Sequence, residues 1–186
     1  IIENLNNYGD FEINNSFQEK VDFYEQEFKK DLLNAICKGN TRLKAGGRGL
    51  EEFVKELLEI EGYSQVDILD KKNGEGIADV DIQATSENNP FLKDILIQVK
   101  HHNGETSKHA INQLIAYEAE ATSNAYKWVI TTGHISDESK LHAEENQINI
   151  MEGEQFVDWI YTNLNKLSRE TKANLGIVDV PKLSWA

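Results

Sequence analysis

The amino-acid sequence predicts a mixed α/β fold, in which one central sheet carries helices on both of its faces. From residue 49 onwards, segments with a helical apolar repeat are interspersed with short segments in which apolar and polar residues alternate. Their order is helix, strand, strand, strand, helix, strand, and then helix, strand, helix. The expected core is therefore an αβββαβ mixed sheet flanked by helices, with an extra N-terminal helix before it.

The extra helix is predicted over residues 16–38. Ser16 and Glu19 have the spacing of a capping box, and apolar residues follow at helical intervals until Gly39 and Asn40 end the pattern. A helix with such an apolar stripe must bury it. We therefore expect this helix to pack on the main domain or on a partner.

The core elements follow from residue 49, separated by turn-forming residues. Helices are predicted at 49–61, 107–121, 136–145 and 154–167, and strands at 64–69, 78–85, 94–100, 127–131 and 148–151. A turn rich in Lys, Asn and Gly is expected at 70–76. The chain thus divides into an N-terminal helical segment or linker at 1–46, an α/β domain at 47–167 and a C-terminal tail at 168–186.

The charge distribution is uneven along the chain. The net charge of −13 counts at first sight against a nucleic-acid partner, because nucleic-acid-binding domains are usually basic. Residues 97–142, however, carry four lysines against five acids, a net charge of −1, and contain all five histidines. This stretch could become positive beside phosphate, or the cluster could have arisen by chance.

Several classes of protein are excluded by simple counts. Cys37 is the single cysteine, so the chain has no intrachain disulfide and no thiolate metal cluster, and a reducing cytoplasm is the expected setting. No apolar run approaches the roughly 18 residues of a membrane span, and no signal-peptide pattern opens the chain. Because the first residue is Ile1 rather than Met, we expect the sequence to be part of a longer protein.

Four residues on two consecutive predicted strands form the strongest chemical pattern. Asp81 lies on one strand, and Gln98, Val99 and Lys100 end the next. Side chains 98 and 100 project from the same strand face, so Asp81 can lie beside both if the strands are neighbours. A carboxylate, an amide carbonyl and a backbone carbonyl are hard oxygen ligands suited to Mg²⁺. A lysine beside them can orient a water or stabilise charge on a phosphate.

A structural explanation of the same residues is open at this point. Asp81 and Lys100 could form a cross-strand ion pair, with Gln98 simply a polar residue. An aspartate followed by a Gln-x-Lys sequence is not rare enough by itself to decide between the two explanations. The sequence context has to distinguish them.

Five sequence segments provide that context, and they occur in order between residues 47 and 165. They are GLEEFVKELLEIEGY at 49–63, GIADVDIQA at 76–84, ILIQVK at 95–100, WVITTGHIS at 128–136 and INIMEGEQFVDWI at 148–160. Together they resemble the catalytic domain of Mrr-type restriction endonucleases, which belongs to the PD-(D/E)XK nuclease superfamily. The resemblance implies a restriction-endonuclease-like core for the domain predicted at 47–167.

The resemblance also implies roles for individual residues. Asp81 matches the metal-binding aspartate, Gln98 the position that is glutamine in this branch and glutamate in many others, and Lys100 the catalytic lysine. Together with the Val99 carbonyl, these residues would hold Mg²⁺, for which Mn²⁺ can substitute. Glu51 matches a helix glutamate that binds the metal directly or through water, although it could equally be a solvated carboxylate on the helix surface.

The chain departs from the family pattern at two places. The turn before the catalytic aspartate is shorter than usual, so Asp79 is an alternative metal ligand to the preferred Asp81. His101 and His102 follow Lys100 where an arginine–aromatic pair is common, and they either contact phosphate or are solvated.

Two further residues, Lys108 and Gln113, are candidates for contacts with DNA, in addition to the two histidines. For Gln113, which follows the active strand on the next predicted helix, a surface position without function is the alternative.

By this resemblance, the function is Mg²⁺-dependent endonucleolytic hydrolysis of DNA phosphodiester bonds, in restriction or phage defence. The alternative is a nuclease-like effector or binding module that another domain controls, acting on RNA or lacking activity. The expected partners are DNA, other domains of a longer parent protein and a second copy of the chain in a homodimer. No membrane partner is expected.

Overall fold

The backbone path is known for most of the chain. The computed structural model describes residues 3–70, 79–87, 89–120 and 125–178, with the backbone alone for 3–16 and 118–120. Residues 71–78 contain most of the turn predicted at 70–76 and the first residue of the strand predicted at 78–85. These parts of the predictions lie outside the described residues.

Two helices precede the sheet. The first, α1 (Glu3–Cys37), begins earlier in the chain than the helix predicted at 16–38, and the second, α2 (Gly49–Glu61), has its predicted bounds. Gly62 ends α2 with a φ of 103°, a left-handed conformation that glycine adopts without steric cost. The buried side chains of α2 recur at helical spacing and form its core-facing stripe: Leu50, Phe53, Val54, Leu57 and Leu58.

The described residues contain seven strands in two sheets. They are β1 (Gln65–Ile68), β2 (Ile82–Thr85), β3 (Ile95–Lys100), β4 (Glu105–Thr106), β5 (Tyr126–Thr131), β6 (His134–Ile135) and β7 (Ile148–Met151). The main sheet has the order β1-β2-β3-β5-β7. The pairs β1–β2 and β2–β3 are antiparallel, whereas the pairs β3–β5 and β5–β7 are parallel. The predicted mixed sheet is therefore confirmed.

The remaining helices cover the two faces of the sheet. They are α3 (His109–Glu120), α4 (Asp137–Glu145), α5 (Gly153–Thr162) and α6 (Arg169–Leu175), with a 3₁₀ turn at Leu164–Lys166 before α6. One core cluster packs α1, α2, α5 and α6 against one face, and a second packs α3 and α4 against the other. Burial of apolar side chains on both faces explains why the helices flank the sheet.

The sequence did not predict β4, β6 or α6. Because β4 and β6 have two residues each, they are too short to show alternation, and they pair with each other in parallel. The tail after residue 168 has only weak apolar periodicity, yet Leu175 of α6 is buried in the same cluster as α1 and α2. The three-part division of the chain stays a prediction.

The start of β2 differs from the regular strand predicted at 78–85. In a regular strand, Val80 and Ile82 would face the same side of the sheet. Here Val80 packs in the second core cluster and Ile82 in the first, on opposite faces. The backbone bends at Asp81 to allow this, so simple alternation does not describe the direction of the side chains at 79–81.

The C-terminal half of α1 is bound directly to the main sheet. The His101 imidazole Nε2 lies 2.9 Å from the Ile36 carbonyl oxygen. The Cys37 thiol donates to the Thr132 carbonyl at 3.2 Å, and burial raises the pKa of this thiol. These contacts join the end of α1 to the segments that follow β3 and β5.

No helix within the described parts of the chain combines the length and the apolar character that crossing a membrane requires.

The close approach of α5 to the end of β5 yields a prediction for Gly153→Ala. An added Cβ would lie 2.4 Å from the Thr132 carbonyl oxygen and 2.9 Å from Leu33 Cδ1, so backbone or side chains must move. We expect a loss of about 2 kcal/mol in the free energy of unfolding, measured by urea denaturation. The matched control is Gly47→Ala, where the nearest atom is 3.6 Å away. Equal stability of the two variants would contradict the packing described here.

Candidate active site

Three strands and one helix meet where β3 ends. The antiparallel pairings set Ile68, Ile82 and Ile97 side by side across the sheet. The N-terminus of α2 reaches the same place, because the Arg48 guanidinium lies 3.4 Å from a carboxylate oxygen of Asp70. Segments that are distant in the sequence thus come together at this end of the sheet.

Asp81 lies at this end and is held against the backbone of β3. Its side chain is almost completely buried, with 2 % of the residue exposed. One carboxylate oxygen, Oδ2, accepts a hydrogen bond from the Val99 N–H at 2.7 Å. The Asp81 N–H in turn donates to the Ile97 carbonyl at 3.0 Å. Both contacts place the carboxylate beside the last residues of β3.

The Val99 carbonyl projects toward the same side. In an extended strand, the N–H and the C=O of one residue point to the same neighbouring strand. Because the Val99 N–H is bound to Asp81, its carbonyl also points toward Asp81 rather than toward β5. The next residue has the opposite orientation, and the Lys100 carbonyl accepts from the Thr132 N–H at 3.1 Å.

Gln98 is the most unusual residue of this region. It is fully buried, and neither its amide oxygen nor its amide nitrogen has a hydrogen-bond partner among the residues that the structure describes. An unsatisfied buried polar atom costs about 1–3 kcal/mol, so native proteins contain few of them. The alternation of β3 sets Gln98 on the same face as Leu96, which packs in the cluster of α3 and α4.

Lys100 and Glu51 lie at the edge of the same region. Lys100 is the last residue of β3, is half-buried, and shares the strand face of Gln98. Glu51 lies in the first turn of α2 and is also half-buried. Each of the two residues has an interaction partner.

Asp79 and Gln113 form a pair that joins the segment before β2 to α3. The Gln113 amide nitrogen, Nε2, lies 3.4 Å from a carboxylate oxygen of Asp79. Gln113 is 7 % exposed, so it is a buried residue of α3 and not the surface glutamine that its sequence position allowed. No spacing rule could have predicted this pair, because its members are 34 positions apart and lie on different elements.

The residues considered for DNA contacts have different surroundings. His101 is bound through its ring to the carbonyl of Ile36, as described above. His102 is half-buried, and its backbone N–H donates to the Thr132 hydroxyl at 2.9 Å. The Lys108 ammonium donates to the Glu138 carboxylate, and this hydrogen bond lowers the pKa of Glu138 below its ordinary value.

A threonine pair closes the turn after β5, next to the Lys100 backbone. The Thr131 hydroxyl lies 2.7 Å from the Thr106 hydroxyl, and it also accepts from the Gly133 N–H at 3.1 Å. The Thr132 hydroxyl donates to the His102 carbonyl at 2.8 Å. These bonds give the two threonines the turn-forming role that is common for such residues, and they fix the backbone beside Lys100.

The donor atoms suit a hard divalent cation. Within the described segments, no three His, Cys, Asp or Glu side chains converge as metal ligands. The candidate set combines one carboxylate, from Asp81, with the amide oxygen of Gln98 and the carbonyl of Val99. Oxygen donors of this kind suit Mg²⁺, and an unpartnered buried amide oxygen is a group that a bound cation would satisfy.

Comparisons with known proteins identify the family. A solved structure, "MspJI Restriction Endonuclease in Complex with 27-mer Oligonucleotide", is similar to this chain with a TM-score of 0.39 and 16 % sequence identity. The similarity covers 87 % of this chain and 32 % of that one, so this chain spans about a third of its length. No curated protein matches. The model of the restriction endonuclease family Mrr_cat matches residues 42–160, which is more than half of the chain, and the protein therefore belongs to this family.

Proposed function

We propose that this protein is a Mg²⁺-dependent endonuclease that hydrolyses phosphodiester bonds of DNA in restriction or phage defence. The observation that carries the proposal is the buried Gln98 amide without a partner, one residue from the N–H that binds Asp81. A buried amide without a hydrogen-bond partner would be satisfied by a ligand that binds beside it. Membership of a restriction endonuclease family supports DNA as the substrate.

The cation would be held by Asp81, Gln98 and the carbonyl of Val99. Asp81 would keep its hydrogen bond to the Val99 N–H through Oδ2 and offer its other carboxylate oxygen. Glu51 would support the cation or its hydration shell from α2. When bound, Mg²⁺ or Mn²⁺ polarises the phosphoryl oxygen and makes water a stronger nucleophile.

Lys100 would act on the reacting groups from the end of β3. Its ammonium orients the attacking water and stabilises the negative charge that develops on the phosphate. The water oxygen forms a bond to phosphorus while the bond from phosphorus to the leaving ester oxygen breaks. The water loses a proton to solvent, and the leaving oxygen takes one from solvent. The backbone of Lys100 stays in place because its carbonyl is bound to Thr132.

DNA would approach from the segment after β3. His101, His102 and Lys108 lie in the nearly neutral stretch 97–142 and would contact phosphate. Recognition of a specific DNA sequence would come from another domain of a longer protein or from a second copy of the chain. The protein would act in the cytoplasm.

A second candidate is an effector nuclease that another domain switches on, with RNA as an alternative substrate. The observation that favours it is the burial of Asp81 and Gln98, of which 2 % and 0 % are exposed. In this second candidate, access of a substrate to these two residues would require a rearrangement, and a partner domain could supply its energy.

The first test is a plasmid cleavage assay with Asp81→Ala and Lys100→Ala. With Mg²⁺ the unmodified protein should cleave and in EDTA it should not, and each variant should lose at least about 10²–10³-fold in rate. The melting temperature of Lys100→Ala should stay close to that of the unmodified protein, whereas Asp81→Ala should melt lower because the Val99 N–H loses its acceptor. A labelled RNA in parallel reactions tests RNA as the substrate, and cleavage by this chain alone would count against the need for an activating domain.

The control variant for this test is Asp79→Ala, which we expect to retain measurable cleavage. If Asp79→Ala is inactive and Asp81→Ala is active, Asp79 is the ligand instead.

A second prediction concerns Gln98→Leu. Removing two unsatisfied buried polar atoms should stabilise the metal-free protein by about 1 kcal/mol, because an apolar group of similar volume has nothing to desolvate. The same change removes a cation ligand, so the rise in melting temperature that Mg²⁺ gives the unmodified protein should disappear. Thermal denaturation in about 10 mM Mg²⁺ and, separately, in EDTA measures both effects. A less stable metal-free variant would count against the proposed ligand role.

A third prediction concerns DNA binding by these 186 residues. The net charge of −13 opposes a polyanion, so we expect weak affinity without sequence preference, with a Kd of roughly 10⁻⁴–10⁻⁶ M. Fluorescence anisotropy with two unrelated duplexes at several salt concentrations measures it. Nanomolar, sequence-specific binding by the monomer would show that recognition needs no further domain.

A further inference from the structure

Unsatisfied buried polar atoms are concentrated in one place. Within the described residues, three buried side-chain atoms lack a hydrogen-bond partner, and they are both amide atoms of Gln98 and the amide oxygen of Gln113. These two glutamines lie on different elements, β3 and α3. All three unsatisfied atoms belong to residues of the proposed catalytic centre, which indicates a shared cause.

The two glutamines face the same interface. Gln113 is three residues after Ala110 and next to Leu114, both of which pack with Leu96 of β3 in the second core cluster. Gln98 is two residues after Leu96 on the same strand face. The side chains of Gln98 and Gln113 therefore both enter the layer between β3 and α3.

The orientation of the Gln113 amide follows from its neighbour. A carboxylate can only accept hydrogen bonds, so the amide nitrogen must face Asp79, at 3.4 Å. The reversed amide would set its oxygen against the carboxylate and lose the bond. The amide oxygen is consequently directed away from Asp79, into the buried layer where it has no partner.

A buried amide with a purely structural role looks different in this protein. Asn163 is 1 % exposed, and its nitrogen donates to Glu61 at 2.7 Å. Its oxygen accepts from the Lys166 ammonium at 3.2 Å. Both polar ends of this amide are satisfied, whereas only one end of the Gln113 amide is.

We infer that Gln113 is a positioning residue of the catalytic centre, an inference that rests on the proposed function. Its amide nitrogen holds Asp79, and its amide oxygen accepts a hydrogen bond from the hydration shell of the divalent cation. Mg²⁺ keeps several of its waters when it binds to proteins, so such an acceptor has a defined task. Residues that orient the immediate surroundings of a cation in this way typically contribute a factor of about 10–100 to affinity or activity.

The test uses Gln113→Met, which keeps the length and volume of the side chain and removes its polar atoms. We expect the metal-free variant to melt close to the temperature of the unmodified protein, because removing one unsatisfied acceptor offsets the loss of the long, 3.4 Å hydrogen bond to the half-buried Asp79. Its Kd for Mn²⁺ should rise about tenfold. Titration of Mn²⁺ followed by electron paramagnetic resonance, without DNA, measures binding independently of activity. In cleavage assays, kcat should fall while KM for DNA stays unchanged.

Two companion variants separate positioning from structure. Asn163→Leu removes a satisfied buried amide, so it should lower the melting temperature and leave the Mn²⁺ affinity unchanged. Gln113→Glu keeps an acceptor and sets a second carboxylate against Asp79. It should restore Mn²⁺ affinity to at least the unmodified value and melt at a lower temperature without the cation.

The outcomes distinguish this inference from the proposed function. If the unmodified protein cleaves DNA with Mg²⁺ but Gln113→Met binds Mn²⁺ as tightly as before, the inference is overturned and the proposed function stands. A drop in melting temperature like that of Asn163→Leu, with unchanged Mn²⁺ binding, overturns it in the same way. If the unmodified protein neither binds Mn²⁺ nor cleaves DNA, the proposed function fails and the inference fails with it.

Discussion

The hydrogen bond from the Val99 N–H to the Asp81 carboxylate is the contact on which the candidate site depends. It joins the bend before β2 to the last residues of β3, where regular pairing between the two strands has ended. The bond forms inside the protein, where a buried carboxylate needs a donor and an unpaired N–H would be costly. By satisfying both groups, it holds the Asp81 carboxylate against the backbone of Val99, the residue next to Gln98.

The concentration of unsatisfied groups at this point has an energetic meaning. Most buried polar atoms in folded proteins are paired, and those without partners are found where function requires them. The unpaired atoms of Gln98 and Gln113 lower the stability of the protein, because each was removed from water without gaining a hydrogen bond. If a ligand completes this bonding, the site gives up stability and gains affinity for that ligand.

Much of the fold could be predicted from periodicity, whereas the site could be predicted only in part. Helix α2 and strands β3 and β5 carry long, clear apolar patterns, and the match to a restriction endonuclease family confirms the resemblance inferred from five segments. The two-residue strands and α6 escaped prediction because tertiary packing, and not local pattern, stabilises them. The bend at Asp81 and the Asp79–Gln113 pair arise from the packing of α3 on β3, which no local spacing encodes. The assignment of individual ligands stays a prediction.

Helix α1 is attached to the rest of the domain near its C-terminal end. At its C-terminal end, the Ile36 carbonyl is bound to His101, the residue directly after Lys100. Further toward its N-terminus, the helix carries the exposed side chains of Phe17 and Tyr24. A helix of 35 residues is about 52 Å long at a rise of about 1.5 Å per residue. The helix is also held at Lys29, which binds Asp158 of α5 at 2.9 Å, so the part that could tilt runs from Lys29 to the N-terminus of α1. That part is about 39 Å long, and a rigid-body tilt of about 5° would move its far end by about 3 Å while the Ile36 carbonyl stays in place.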